Sequence, residues 1–175
     1  VAEAVARGAE PRAPDRARRA IDRLATVAPA TRASTAADPM GERSVREAGF
    51  DPVRVVDPFG DETPEPTETT ADHTVSVVEA FVGGDDPVDL VLFVGGDGTA
   101  ADVAATLEAT NSATPMLGVP AGVKVYSSVF AVSPEDAAEI AATFSRTERR
   151  EVMDIDEDAY REGEVHPELR AVAHV

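Results

Sequence analysis

The sequence has no cysteine, no tryptophan, a single lysine among 16 basic residues, and aromatics at only 5% of its 175 positions. Without cysteine there is neither a disulfide framework nor a thiolate metal site. The longest apolar run, Leu90-Val91-Leu92-Phe93-Val94, is far short of the roughly 20 residues a membrane span needs. No leader-like stretch opens the chain. Basic surface is missing as well, since 33 acidic residues leave a net charge of −17. A phosphodiester backbone needs a basic footprint, so DNA and RNA are excluded as partners. Together these absences predict a cytoplasmic protein with no nucleic-acid and no membrane partner.

What the chain does have is acid, in quantity and everywhere. An interaction tail would gather the carboxylates in one block, and a metal store would cluster them at ligand spacing; here they are spread along the whole chain. Adaptation to molar salt fits better, because distributed Asp and Glu keep a surface hydrated and their repulsion is screened over about 3 Å at 1 M. Apolar residues at 43% are enough for a folded core, and the length suits one α/β domain. The chain opens without Met and stops at Ala173-His174-Val175, which reads as a segment of a longer protein.

Helical and strand patterns alternate, the mark of a parallel α/β sheet flanked by helices. A helix is expected over 15–27, entered through Pro14 with Ala17, Ala20, Ile21 and Leu24 on one face. A short strand fits 31–37, a second helix 41–48 closed by Gly49, and a strand 53–56. Residues 57–69 are a loop rich in Pro, Glu, Asp and Thr, and no domain boundary, since the strand–helix alternation resumes immediately after it. Thr70 then caps a helix with Val75, Val78 and Phe81 or Val82 inward, ended by Gly83-Gly84. A buried strand is expected over 88–94, and a helix starting near Thr99 with Ala100, Val103, Ala104 and Leu107 at i, i+3, i+4 and i+7. A strand over 115–119 follows. Ser133-Pro134-Glu135-Asp136 opens a helix whose inward face is Ala137, Ile140, Ala141 and Phe144, and 152–155 is the last expected strand. No internal repeat is present.

Gly95-Gly96-Asp97-Gly98-Thr99 joins the buried strand to a helix N-terminus, the crevice where open α/β sheets bind ligands. Glycines there let backbone N–H groups reach phosphate oxygens, and the helix dipole adds about half a positive charge. Thr99 either caps the helix or offers its hydroxyl to a phosphate. Asp97 is the informative residue, because a carboxylate repels phosphate. It makes sense as the acceptor of a hydroxyl proton in phosphoryl transfer, or as a partner of magnesium. The competing explanation is a tight turn in which Asp and Gly supply unusual backbone angles. The stretch is neither a Walker P-loop nor the Rossmann glycine fingerprint.

GGDGT after an apolar strand resembles the superfamily of NAD kinases, diacylglycerol and sphingosine kinases, and phosphofructokinases. Thr69-Thr70-Ala71-Asp72 lies one helix upstream, Leu117-Gly118-Val119-Pro120-Ala121-Gly122-Val123-Lys124 one helix downstream, and Val152-Met153-Asp154-Ile155-Asp156-Glu157 after the next. In that order these look like the archaeal and bacterial ATP-NAD kinase-like proteins, a group that includes proteins named for acetoin catabolism. The resemblance covers nearly the whole chain. It implies the Rossmann-like N-terminal domain of that fold over 1–156, with 157–175 starting the connection to a β-rich C-terminal domain.

The resemblance further implies phosphoryl transfer from ATP or polyphosphate, with a divalent metal such as Mg2+, to the 2′-hydroxyl of NAD. Asp97 matches the base for that hydroxyl, and Gly95, Gly96, Gly98 and Thr99 the phosphate turn. Thr70 joins the binding set, and Pro120, Ala121, Gly122 and Lys124 match the nucleotide pocket. A compact ammonium at Lys124 suits a phosphate; Pro120 and Gly122 also read simply as a turn, and Lys124 as a solvated lysine. The partners implied are small-molecule nucleotides and further copies of the chain, joined through the C-terminal domain. The chain departs from the family with Ala101 where arginine is frequent and Tyr126 where histidine is frequent, and it has no Asn-Pro first strand. His73 reads as a helix residue beside the cap, and His166 and His174 suggest nothing. Asp154, Asp156, Glu157 and Asp158 read as a solvated face. A kinase of another hydroxyl acceptor, lipid or polyol, and a non-catalytic nucleotide-binding module remain alternatives.

Overall fold

The alternation predicted from the sequence is realised in a computed structural model that describes residues 12–61, 64–121, 125–155 and 167–175. Helix α1 spans Ala13–Val27, β1 Ser34–Ala36, α2 Glu42–Glu47 and β2 Arg54–Val56. Helix α3 spans Ala71–Val82, β3 Val91–Gly95, α4 Asp97–Ala109 and β4 Met116–Pro120. Helix α5 covers Pro134–Thr143, and β5, Arg149–Ile155, and β6, Pro167–His174, complete the order. Among the described residues the strands pair two by two: β1 with β2 and β3 with β4 in parallel, β5 with β6 antiparallel.

The β3/β4 pair carries helices on both faces, which is why its residues alternate between two apolar clusters. Val91, Phe93 and Met116 face Val78 of α3 and Ala100, Val103, Ala104 and Leu107 of α4. Leu92, Val94, Leu117 and Val119 face Ala20 of α1 and Ala137 of α5. Phe93 stands beside Gly118 in register, and the rings of Phe93 and Phe130 meet edge to face at 5.4 Å. A Cβ on Gly118 would lie 2.4 Å from the Phe130 ring, so only glycine admits this pairing. The β5/β6 hairpin packs on α4 through Val152, Ala171 and Ala173, with a register shift between Val152 and Met153.

Helix α1 runs alongside α5 in the same direction. Arg19 forks onto Glu135 at 2.8 and 2.9 Å, and one turn on Arg23 pairs with Glu139. The hydrogen bond from Arg19 holds the Glu135 carboxyl below its ordinary range, and Glu135 in turn raises Arg19. Beneath this ladder Ala20 of α1 is buried with Ala137 of α5, and Leu24 and Ile21 of α1 share a cluster with Ala138.

Several elements differ from expectation for identifiable reasons. Strand β3 begins at Val91, not 88, because Val88 N–H donates to the Phe81 carbonyl at the end of α3. Helix α3 buries Val77 and Val78; Val75 is only half-buried. Ile140 and Phe144, expected inward, are exposed on the flank of α5 and line an open cleft with Leu117 and Phe130. The alanines of α5 take the contact with α1 in their place. Strand β6 had no sequence signal. Gly49 closes α2 at φ +94°, as its position predicts. No described helix is long and apolar enough to cross a membrane.

Candidate functional site

The parallel ends of β3 and β4 build the floor of the site. Gly95 pairs with Pro120, and the Ala121 N–H donates to the Gly95 carbonyl at 2.9 Å. The sequence-predicted Gly95, Gly96, Asp97, Gly98, Thr99, Pro120 and Ala121 are thereby brought into one crevice. Gly122 and Lys124 lie outside the described residues.

The N-terminus of α4 opens onto this crevice. Gly96 is its N-cap, with Asp97, Gly98 and Thr99 forming the first turn. Helices α3 and α5 close their first turns with hydroxyls, Thr70 accepting from His73 N–H at 3.4 Å and Ser133 from Asp136 N–H at 3.1 Å, whereas α1 has no side-chain cap. Among the described residues α4 has no such side-chain cap, so its first amides are available to an anion. Thr99 is therefore not the cap.

The glycines of the turn divide by what surrounds them. A Cβ on Gly95 would stand 2.5 Å from Thr99 Oγ1 and 2.7 Å from Thr99 Cβ, so Gly95 is required by the packing of the turn itself. Among the described residues a Cβ on Gly96 or Gly98 would meet nothing within 4 Å. These two leave the backbone open from outside, the arrangement a phosphate needs for close approach.

Asp97 reaches across the crevice. Its Oδ2 accepts the Tyr126 N–H and its Oδ1 the Ser127 N–H, each at 2.8 Å. Each oxygen keeps lone-pair capacity for one further donor. The residue thus does two things at once: it places a carboxylate beside the open glycine backbone, and it clips segment 125–127 over the turn. Ser127 is 5% exposed, and its hydroxyl donates to the Met153 carbonyl at 2.8 Å while accepting the Met153 N–H at 3.0 Å. Sequence reasoning missed Ser127, and noticed Tyr126 only as a departure.

Thr70 is placed differently. Its hydroxyl and its N–H both engage His73, the latter through Nδ1 at 3.2 Å, in a reciprocal cap of α3. The His73 ring meets Phe59 edge-on at 4.8 Å, so this histidine is structural. Among the described residues no group of three or more His, Asp or Glu side chains is arranged to hold a metal ion. The donor set at the turn, one carboxylate already accepting two N–H groups, does not make a protein-held metal centre.

A family model described as the ATP-NAD kinase N-terminal domain matches residues 2–149. No curated relative and no solved structure gives a significant match.

Proposed function

The chain belongs to the ATP-NAD kinase family through its N-terminal domain, and from that premise we propose that it transfers a phosphoryl group from ATP or polyphosphate to the 2′-hydroxyl of NAD, giving NADP. The observation that carries this reading is the Asp97 carboxylate held 2.8 Å from two backbone amides, beside two glycines whose backbone faces open space. Phosphate oxygens would rest on the first amides of α4 at Asp97, Gly98 and Thr99. The acceptor hydroxyl passes its proton to a free lone pair of Asp97 as its oxygen bonds to phosphorus and the donor's bridging P–O bond breaks. Positioning and electrostatics then supply the rate. A divalent ion such as Mg2+, carried by the nucleotide's own phosphates, would supply neutralisation of the charge that develops on them. Pro120 and Ala121 would line the nucleotide pocket, with Gly122 and Lys124 beyond them. The reading also takes 1–156 as the nucleotide-binding unit, with assembly as a homo-oligomer through a β-rich C-terminal domain, in the cytoplasm.

One observation favours a second reading. Both Asp97 oxygens already serve as acceptors for the chain's own backbone, a sufficient structural reason for the residue in a nucleotide-binding module without turnover. Phosphorylation of NAD by the intact protein, compared with Asp97→Asn, separates the two. Turnover lowered about 10²-fold or more with nucleotide binding retained supports the base. Equal turnover in both proteins removes Asp97 from the mechanism.

A further inference from the structure

We propose that Ser127 is a positioning residue for Asp97, holding the carboxylate through a hydrogen-bonded relay anchored on strand β5. The proposal rests on the reading of Asp97 as the base. Ser127 touches two distant elements at once. Its N–H donates to Asp97 Oδ1 at 2.8 Å, and its hydroxyl donates to and accepts from the backbone of Met153. Two bonds to one residue's main chain are what a paired strand would make, so the serine stands in for a strand neighbour where β5 shifts register.

The anchor is itself packed and paired. Met153 follows the fully buried Val152, and β5 is paired with β6 and packed on α4, the helix that begins with Asp97. On its other side the segment is fixed to β4, where Gly118 N–H donates to Val129 and Ala131 N–H to Gly118, both at 2.9 Å. Ser127 is the link that transmits both constraints to the carboxylate. Ser128, its neighbour, makes only a 3.3 Å bond to the Glu151 carbonyl from an exposed position and touches no part of the turn. An aspartate without its clip can rotate away from the acceptor, and misplacement by about 1 Å can cost up to about 10²-fold in rate.

The experiment uses the intact protein as Ser127→Ala, Ser127→Cys, Ser127→Thr and Ser128→Ala, with steady-state kinetics on ATP and NAD. A second readout follows the 15N-labelled Tyr126 and Ser127 amides with pH, since an N–H donated to a carboxylate tracks its titration. Ser127→Ala is expected to lower kcat about tenfold, the scale of one or two lost hydrogen bonds, with KM changed less than about twofold. Both amides stop tracking Asp97, Ser127→Thr restores most of kcat, and Ser128→Ala behaves as wild type. Should the alanine variant not fold, Ser127→Cys keeps the volume with a weak donor and is expected to lose kcat in part. Wild-type kcat in either variant, a loss confined to KM, or an equal loss in Ser128→Ala overturns the proposal. Absence of phosphoryl transfer in the wild type defeats the functional reading instead. The relay is then decided by the amides: loss of tracking in Ser127→Ala supports it, and retention overturns it.

Discussion

Adding one methyl group to the glycine turn should do opposite things at Gly95 and Gly98. At Gly95 the new Cβ would lie 2.5 Å from Thr99 Oγ1, 2.7 Å from Thr99 Cβ and 3.1 Å from Thr99 Cγ2. A Cβ is fixed to its backbone, so no rotamer of Thr99 relieves the 2.7 Å contact and the first turn of α4 must shift. Overpacking of this kind costs about 1–3 kcal/mol, which for a chain of this size lowers Tm by roughly 2–12 °C. Thr99→Ala leaves the offending Cβ in place and should not rescue Gly95→Ala. Thr99→Gly should rescue it in large part. Gly98 sits exposed inside the first turn, where a Cβ meets nothing, and Ala is the better helix former by up to about 1 kcal/mol. Gly98→Ala should therefore match or exceed wild-type stability while lowering phosphoryl transfer about tenfold or more, because the methyl occupies the phosphate's approach. Thermal unfolding followed by circular dichroism, at one fixed salt concentration, and a coupled assay for NADP read the two effects separately. A Gly95→Ala protein as stable as wild type would falsify the packing argument. A Gly98→Ala protein with full activity would remove the phosphate from that side of the turn.

Two further predictions concern charge. With a net charge of −17 spread along the chain, Tm should fall sharply on dialysis from about 1 M to about 0.01 M salt, as the screening length grows from about 3 Å to about 30 Å; an unchanged Tm refutes adaptation to salt. Glu135 has its pKa lowered by Arg19, so its stabilising effect is present above the ordinary glutamate range and is lost as pH falls through that range and below it. Urea midpoints of wild type and Glu135→Gln should differ at neutral pH and converge in acid, and a gap independent of pH would dismiss the pair as a source of stability.

Much of this fold was legible because local pattern and tertiary need coincide. Ala100, Val103, Ala104 and Leu107 are all buried, as their spacing predicts, since α4 is pressed between α3, β3 and the hairpin. The caps at Thr70 and Ser133 are local chemistry and fell where the side chains allow. Strand β6 was illegible because its buried positions near the end are alanines, Ala171 and Ala173, alternating with Arg170 and Val172. Small residues carry little hydrophobic signal. Ile140 and Phe144 misled for the converse reason: large apolar side chains suggest a core, yet it is the small Ala137 and Ala138 that α5 buries against α1, elsewhere on the helix. In the site, the glycine turn and Pro120 were readable from the strand–turn–helix order. Ser127 was not, because its meaning depends on Met153, 26 residues away, arriving beside it.

The arginine–glutamate ladder between α1 and α5 has a consequence apart from energy. Two half-exposed ion pairs contribute little, and salt weakens them further. Beneath them Ile21 and Leu24 of α1 share one apolar cluster with Ala138, Ala141 and Ala142 of α5, so sliding one helix along the other by a turn, about 5.4 Å, would also lift large side chains out of their seats. The rungs do not tolerate that slide: one turn out of place, Arg19 faces Glu139 and leaves Arg23 and Glu135 without their mates. The ladder is an index: it repeats in charge the one alignment that the apolar contact beneath it selects. Because Ala20 of α1 and Ala137 of α5 pack together against Leu92, Val94, Leu117 and Val119, that alignment is also the one presented to the two strands that carry the glycine turn.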